Sequence, residues 1–353
     1  MELGARIAAR IDDIHPKITR RVFAAKVGMT PDALSRALSG QRGISSLELV
    51  QIADALEADI HELVTGVPDP RRVTLAARHD FNSRTHARSV PTLSEDKSTI
   101  ENIRIAYVQA DLLAREPVAA PAQASAMREL LGNDFARPFI DRIETILGVD
   151  VIRVAELGTA YTATIEGRSV IMIPAKGNWF RENFDLAHEL AHLAGIDSED
   201  AANAYASELL LPATLMADID WANASPQTVA EVLWETGVST EVLRIRLDTL
   251  KLQSGNIREA LNVPTQRALR QARSWSHAFG DQITERMDAA AQRRFPLELQ
   301  EAHEQKIEAG DLGPSYLAWM RGVSPQWISE AYEPAMHEAG IDQLAEAFGL
   351  ELA

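Results

Sequence analysis

The sequence has no cysteine in its 353 residues. That excludes disulfides and thiolate metal sites, so a transition metal can be held only by histidine and carboxylate. It has no run of the eighteen or so uncharged apolar residues that a membrane span needs. Its start, Met1-Glu2-Leu3-Gly4-Ala5-Arg6, lacks the basic opening and apolar core of a secretion signal. A cytoplasmic chain with no membrane partner is the expectation. Positive charge is also scarce: the formal net charge is −16, so most of the surface repels phosphate and any contact with nucleic acid must be local. Internal repeats and low-complexity segments are absent. What remains is a globular composition, 46 % hydrophobic and 24 % charged, in a length that suits two or three domains.

Residues 1–66 read as five short helices. Leu3, Ile7 and Ile11 keep the i, i+4 spacing of one buried helical face. Thr19 can cap a helix that Gly28 stops, and Thr30-Pro31 restarts one with a cap followed by proline at the first helical position. That helix runs to Leu38. Ser46 opens a fourth helix to Leu56, and Asp59–Leu63 makes a last turn. Two helices joined by a short glycine-containing turn form the helix-turn-helix pattern, in which the second helix enters the major groove of double-stranded DNA. Candidate DNA contacts are therefore Thr30, Asp32, Ser35 and Arg36, with Gln41 and Arg42 just beyond, while Ala33, Leu34, Ala37 and Leu38 pack inward. The plain alternative is a protein-binding module.

Gly66-Val67-Pro68-Asp69-Pro70 closes this domain, and the polar stretch over 67–98 reads as a tether. Seven basic residues against four acids gather between Arg71 and Arg104; a solvated linker is the bland reading. Helical periodicity returns over Thr99–Arg115 and Ala124–Leu147. The β-branched runs Val149–Val154 and Ser169–Pro174, with the alternating Thr159–Ile165 and its Glu166-Gly167 turn, predict a small antiparallel sheet. Helices follow over Phe180–Ala194 and Ser198–Leu211. Beyond about Gly255 the chain reads as charged helices interrupted at Pro296, Gly310–Pro314 and Pro325. The expected fold is mainly α with a small antiparallel β-sheet, an α+β class. Its domains would be a five-helix domain at 1–66, a linker at 67–98, a core at 99–254 and a helical C-terminal domain of unknown role at 255–353.

The chemistry-bearing motif is His188-Glu189-Leu190-Ala191-His192, set in an apolar helix. Four residues is slightly more than one turn, so both imidazoles leave one face and can take two corners of a Zn2+ tetrahedron. Glu189, beside them, suits a general base for water that the metal acidifies. A catalytic zinc needs a third protein ligand and an open position. After the turn Gly195-Ile196-Asp197, Ser198 can cap the next helix and put Glu199 in its first turn. Glu208, nine residues on, faces the opposite side, so only one of the two can reach the metal. Glu199 is preferred because Asn203 shares its face and can support a ligand; Asp197 and Asp200 are weaker alternatives. The remaining histidines, His15, His61, His79, His86, His277, His303 and His337, form no pair at ligand spacing and read as surface or capping residues. Trp275, Trp319 and Trp327 read as core or docking residues.

The segment Asn183-Phe184-Asp185-Leu186-Ala187-His188-Glu189-Leu190-Ala191-His192-Leu193, followed by Glu199-Asp200-Ala201-Ala202-Asn203-Ala204-Tyr205 and on to Leu211-Pro212, resembles the ImmA/IrrE family of zinc metallopeptidases. Gly237-Val238-Ser239 with Leu243 and Arg246-Leu247 is similar to the helical subdomain that follows that family's core. Residues 1–66 resemble the lambda-repressor-like (XRE) helix-turn-helix domains. The resemblance implies a zincin-like core over 99–254, with His188, His192 and Glu199 as metal ligands and Glu189 as catalytic base. It also implies a repressor-type protein as substrate. Tyr205 stands where phenylalanine is usual and Ala201 where an acid is common. A DNA-binding regulatory endopeptidase, acting as a homodimer at an operator, is the expectation. The alternatives are a transcription regulator that uses the peptidase fold as a sensor or dimerisation body, and an antitoxin-like autorepressor.

Overall fold

A computed structural model describes residues 3–14, 18–56, 58, 60–67, 74–77, 80–82, 87–89, 92–252 and 255–332, with backbone alone at 74–77, 80–82, 87–89, 256 and 273–281. The chain divides into two compact units, Met1–Arg72 and Val73–Ala353.

The first unit holds α1 (Leu3–Asp12), α2 (Arg20–Lys26), α3 (Pro31–Leu38), α4 (Ser46–Leu56) and α5 (Ile60–Thr65). Its caps follow the local sequence. Thr19 Oγ1 accepts from Val22 N–H, Thr30 Oγ1 accepts from Ala33 N–H, and Pro31 takes the first helical position. Ser45 and Glu48 form a reciprocal capping box at α4, each side chain accepting from the other's N–H. Ile7, Phe23, Leu34, Ile52 and Leu63 make an apolar core. Each such buried side chain contributes about 1.5–3 kcal/mol.

The second unit begins within the segment read as a tether. It contains β1 (Thr74–Ala77), β2 (Asp80–Asn82) and β3 (Ala87–Ser89), and α6 (Leu93–Ala110) starts six residues before the expected core. Then come α7 (Ala124–Leu131), α8 (Phe139–Arg142) with a π-turn over Ile143–Leu147, β4 (Asp150–Val154), β5 (Tyr161–Ile165) and β6 (Arg168–Pro174). The long α9 (Trp179–Leu193) and α10 (Glu199–Leu210) follow, then α11 (Ala213–Ala217), α12 (Pro226–Thr236) and α13 (Thr240–Thr249). Last are α14 (Gly255–Ala260), α15 (Thr265–Gln271), α16 (Arg273–Ala291), α17 (Leu297–Glu308), α18 (Ser315–Arg321) and α19 (Pro325–Tyr332). Among the described residues no helix is long and apolar enough to cross a membrane.

The class is the expected one, helices around a small sheet. Within the sheet the pairing is mixed rather than antiparallel throughout. The strand order is β1-β5-β6-β4, and β4 runs parallel to β6, Val151 opposite Ile171, while β5 is antiparallel to both its neighbours. The Glu166-Gly167 hairpin joins β5 to β6 and fixes that pair; the parallel pairing follows from β4 lying on the far side of β6. β2 and β3 form a separate antiparallel pair.

β4 and β6 are buried on both faces, which explains the place of the described helices beyond 255. Val151, Ile171 and Ile173 face α9 and a core with Leu186, Leu190, Leu233, Leu243 and Leu247, which Ile257, Leu269 and Ile283 also join. Ile152, Val170 and Met172 face the other way, onto Ile103 and Tyr107 of α6 and onto Phe295, Leu299, Leu317 and Ile328. The described helices beyond 255 thus cover both faces of one sheet, α14 to α16 joining the α9 side and α17 to α19 the other, where the sequence suggested a domain of its own. His303, expected at the surface, is fully buried in this layer and its Nε2–H donates to the Ala106 carbonyl; burial holds its pKa below the ordinary value. Trp319 packs on the same cluster and Trp327 is exposed. His15, His79, His86 and His337, the side chains of Trp275 and His277, and most of the Arg71–Arg104 basic stretch lie outside the described residues.

Candidate metal centre

The site is built at the end of α9 and the start of α10. After His192 the helix is closed by Gly195, whose φ of +79° only glycine adopts freely, and Ile196 N–H returns to the Ala191 carbonyl at 3.0 Å. That reversal aims the Ile196 carbonyl at His192, whose Nδ1–H donates to it at 2.8 Å. Ser198 then caps α10, which places Glu199 in the first turn and Asn203 one turn on. His188 Nδ1 meets Asn203 Oδ1 at 3.0 Å.

A carbonyl oxygen can only accept, so His192 carries a proton on Nδ1, and in the neutral ring the lone pair is then on Nε2. The Asn203 amide oxygen puts His188 in the same tautomer. The two Nε2 atoms lie 3.1 Å apart. Glu199 completes the group, its Oε2 at 3.3 Å from His188 Nε2 and its Oε1 at 3.7 Å from His192 Nε2. Two lone pairs and a carboxylate this close repel one another unless a cation lies between them. Ligands about 2.0–2.1 Å from a tetrahedral centre are about 3.3–3.4 Å from each other, and the observed separations bracket that edge. The residues therefore fit a zinc-sized ion, with a nitrogen, nitrogen, oxygen donor set that suits it.

Glu189 is buried beside the histidines, and one ligand atom from each of His188, Glu189 and His192 lie within 4.8 Å of one another. Its carboxylate is held from the sheet: Thr162 Oγ1 of β5 donates to Oε2 at 2.7 Å. Thr162 was missed in the sequence. The only signal for it was a threonine on the face of an alternating strand opposite Tyr161, Ala163 and Ile165.

The competing carboxylates are elsewhere. Glu208 pairs with Arg246 of α13 and accepts from Ala213 N–H at 3.2 Å, capping α11. Asp197 and Asp200 are exposed. Tyr205 keeps its hydroxyl occupied by donating to the Pro121 carbonyl at 2.9 Å, with burial raising its pKa to about 12. Asn183, at the other end of the motif, donates to the Ala136 and Gly237 carbonyls and anchors α9. A Cβ at Gly237 would stand 2.1 Å from its amide nitrogen, so that position excludes any side chain.

Residues 146–248 match the model of the IrrE N-terminal-like domain of the M78 peptidases, and residues 15–63 match that of a helix-turn-helix family. The chain is a helix-turn-helix fused to an IrrE-like domain. No curated protein and no solved structure matches the chain. The pair of domains is that of a DNA-binding regulator with an ImmA/IrrE-like domain of metallopeptidase type. The matched IrrE-like stretch contains β4 to β6, α9, α10 and nearly all of α13, which are the elements that carry the cluster.

In the helix-turn-helix, Thr30, Asp32, Ser35, Arg36 and Gln41 are exposed on and just after α3. Arg36 pairs with Asp32 one turn earlier at 2.7 Å. Arg42 differs from its expected outward pose. It is half-buried and bonds Glu48 at 2.6 Å, bracing the start of α4.

Proposed function

We propose that the chain is a zinc-dependent endopeptidase of the cytoplasm that cuts a repressor-type protein and is addressed to operator DNA by its helix-turn-helix. The observation that carries this reading is the convergence of His188 Nε2, His192 Nε2 and the Glu199 carboxylate, with both Nδ1 atoms committed to other partners. A set so constrained is preorganised for a ligand rather than assembled by it.

His188, His192 and Glu199 would hold the metal, with Asn203 orienting His188. A divalent ion there supplies Lewis acidity, lowering the pKa of water and polarising a carbonyl. Glu189 acts as general base: its carboxylate takes the proton of the attacking water and returns it to the amide nitrogen as the peptide bond breaks. Thr162 keeps Oε2 directed. The exposed side chains of α3 read the operator, and because helix-turn-helix half-sites come in pairs, the working form on DNA is a homodimer.

The test combines metal analysis with cleavage. Full-length protein should carry about one zinc per chain and cut a helix-turn-helix repressor encoded beside it. Glu189→Gln should keep the metal and slow cleavage by about 10²–10⁴-fold. Undiminished cleavage by that variant sinks the mechanism. Metal without cleavage of any repressor, together with unchanged transcription in His188→Ala, would favour a regulator that uses the fold as a sensor.

A further inference from the structure

A second cavity, of about 290 Å³, lies in the same unit between α8, the N-terminal half of α9 and the end of α16. In a chain carrying sixteen excess negative charges, four arginines, Arg137, Arg153, Arg286 and Arg294, line it against two carboxylates, Asp141 and Glu182. Three of them have carboxylate partners. Arg153 pairs with Glu182 at 2.7 Å, Arg294 with Glu144 at 2.5 Å, and Arg137 with Glu235 at 3.1 Å.

Arg286 is different. It donates to the Arg137 carbonyl at 2.8 Å and its guanidinium stands 4.6 Å from the ring centroid of Trp179 and 5.3 Å from that of Trp234. Among the described residues it has no ion pair. Stacking on tryptophan faces offsets part of the desolvation of a cation, but a half-buried guanidinium next to another arginine remains in electrostatic deficit. Burial, followed by the Arg137 charge, lowers its pKa. In the same wall the buried Arg153 Nε donor has no hydrogen-bond partner, and neither has the Glu182 Oε2 acceptor.

The wall is also rigid. Arg153 of β4 and Arg294 exchange backbone hydrogen bonds at 2.9 and 2.8 Å, so the chain after α16 is stitched to the sheet edge that floors the cavity. The first turn of α9 adds the positive end of a helix dipole.

We propose that this cavity binds a compact oxyanion, the carboxylate or phosphate group of a small metabolite, with Arg286 as its principal partner and Arg137 beside it. The guanidinium fork matches either group with two parallel hydrogen bonds. The volume, at the lower end of the roughly 300–1,000 Å³ of small-molecule sites, excludes a large ligand. A ligand there rests on Trp179 and Asn183, on the same helix as His188 and His192, and gives the end of α16 a role that the peptidase reading does not supply.

The experiment titrates the full-length chain with inorganic phosphate in one arm and succinate in the other, against sodium chloride of equal ionic strength, and follows tryptophan fluorescence and calorimetric heat. At least one anion should bind saturably with a Kd of about 1 mM or tighter, and the stronger arm names the source chemistry. Arg286→Gln should weaken binding about tenfold or more. No saturable binding in either arm, or full affinity in Arg286→Gln, overturns the proposal. If that variant loses its far-ultraviolet helical signal, Arg137→Gln decides: a loss of about threefold supports the site, and unchanged affinity overturns it.

Discussion

Every buried side chain of the N-terminal unit is apolar, from Ile7 and Phe23 to Leu63, whereas the unit that follows encloses sixteen polar or charged residues among those described. The difference tracks what each unit has to meet. A module that reads DNA needs its polar groups in solvent, where phosphates and base edges arrive. The peptide chemistry proposed for the second unit needs its polar groups taken out of water and held, and each one then requires a partner. The second unit meets that requirement repeatedly: Thr162 for Glu189, Asn203 for His188, the Ile196 carbonyl for His192, and Arg153 for Glu182.

Breaking one of these buried pairings should cost far more than removing a polar contact of the first unit. The largest effect is expected at Arg168, which is 2 % exposed and bridges Asp150 at 2.8 Å and Glu298 at 2.9 Å, with Tyr107 donating to the same Asp150. Arg168→Met leaves the buried Asp150 with only the more distant Arg115, at 3.9 Å, as a cation and should destabilise the second unit by about 3–5 kcal/mol, read as a shift of its denaturation midpoint. A loss below about 1 kcal/mol would show that the network is not needed.

Asn203→Ala comes next. It leaves the fold intact and frees the His188 ring, and a chelator competition should find metal affinity reduced about 10–100-fold; equal affinity would remove Asn203 from the site. In the first unit the effects shrink. Thr30→Ala removes one cap and should cost about 1 kcal/mol, measured on the N-terminal transition.

The smallest effect is pH-dependent. The Arg42 side chain, then Ser45 N–H, bonds Glu48 and lowers its pKa to about 2 from 4.5. A depressed carboxyl contributes stability above its unfolded value and loses it as the pH falls through the folded one. The Tm advantage of the native chain over Glu48→Gln should thus be full above about pH 5 and fade between pH 4.5 and about 2. A gap that is constant across that window would contradict the pairing.

Local grammar carried much of this. Thr19, Thr30 and Ser198 act as caps where the chain placed them, Pro31 takes the first helical position, and H-E-x-x-H with Glu199 six residues past the helix end lies within one loop and two helices. What escaped was non-local. Nothing near Thr162 announces that its hydroxyl meets Glu189, 27 residues on. The parallel β4 to β6 pairing depends on where β4 is inserted, and the burial of His303 depends on α6, 197 residues earlier. Arg42 looked outward because spacing after α3 says nothing about Glu48. The strands at 74–77, 80–82 and 87–89 escaped because they are short and set among polar residues, so no long apolar alternation marks them.

The pairing of β1 with β5 has a consequence for traffic at the cleft. The rim of β5 that carries Thr162 is already occupied, with Ala76 opposite Thr162 and Ala77 opposite Tyr161. A guest polypeptide that sought to lie along that rim in extended form would have to evict Thr74–Ala77, trading one ladder of amide bonds for another of similar worth.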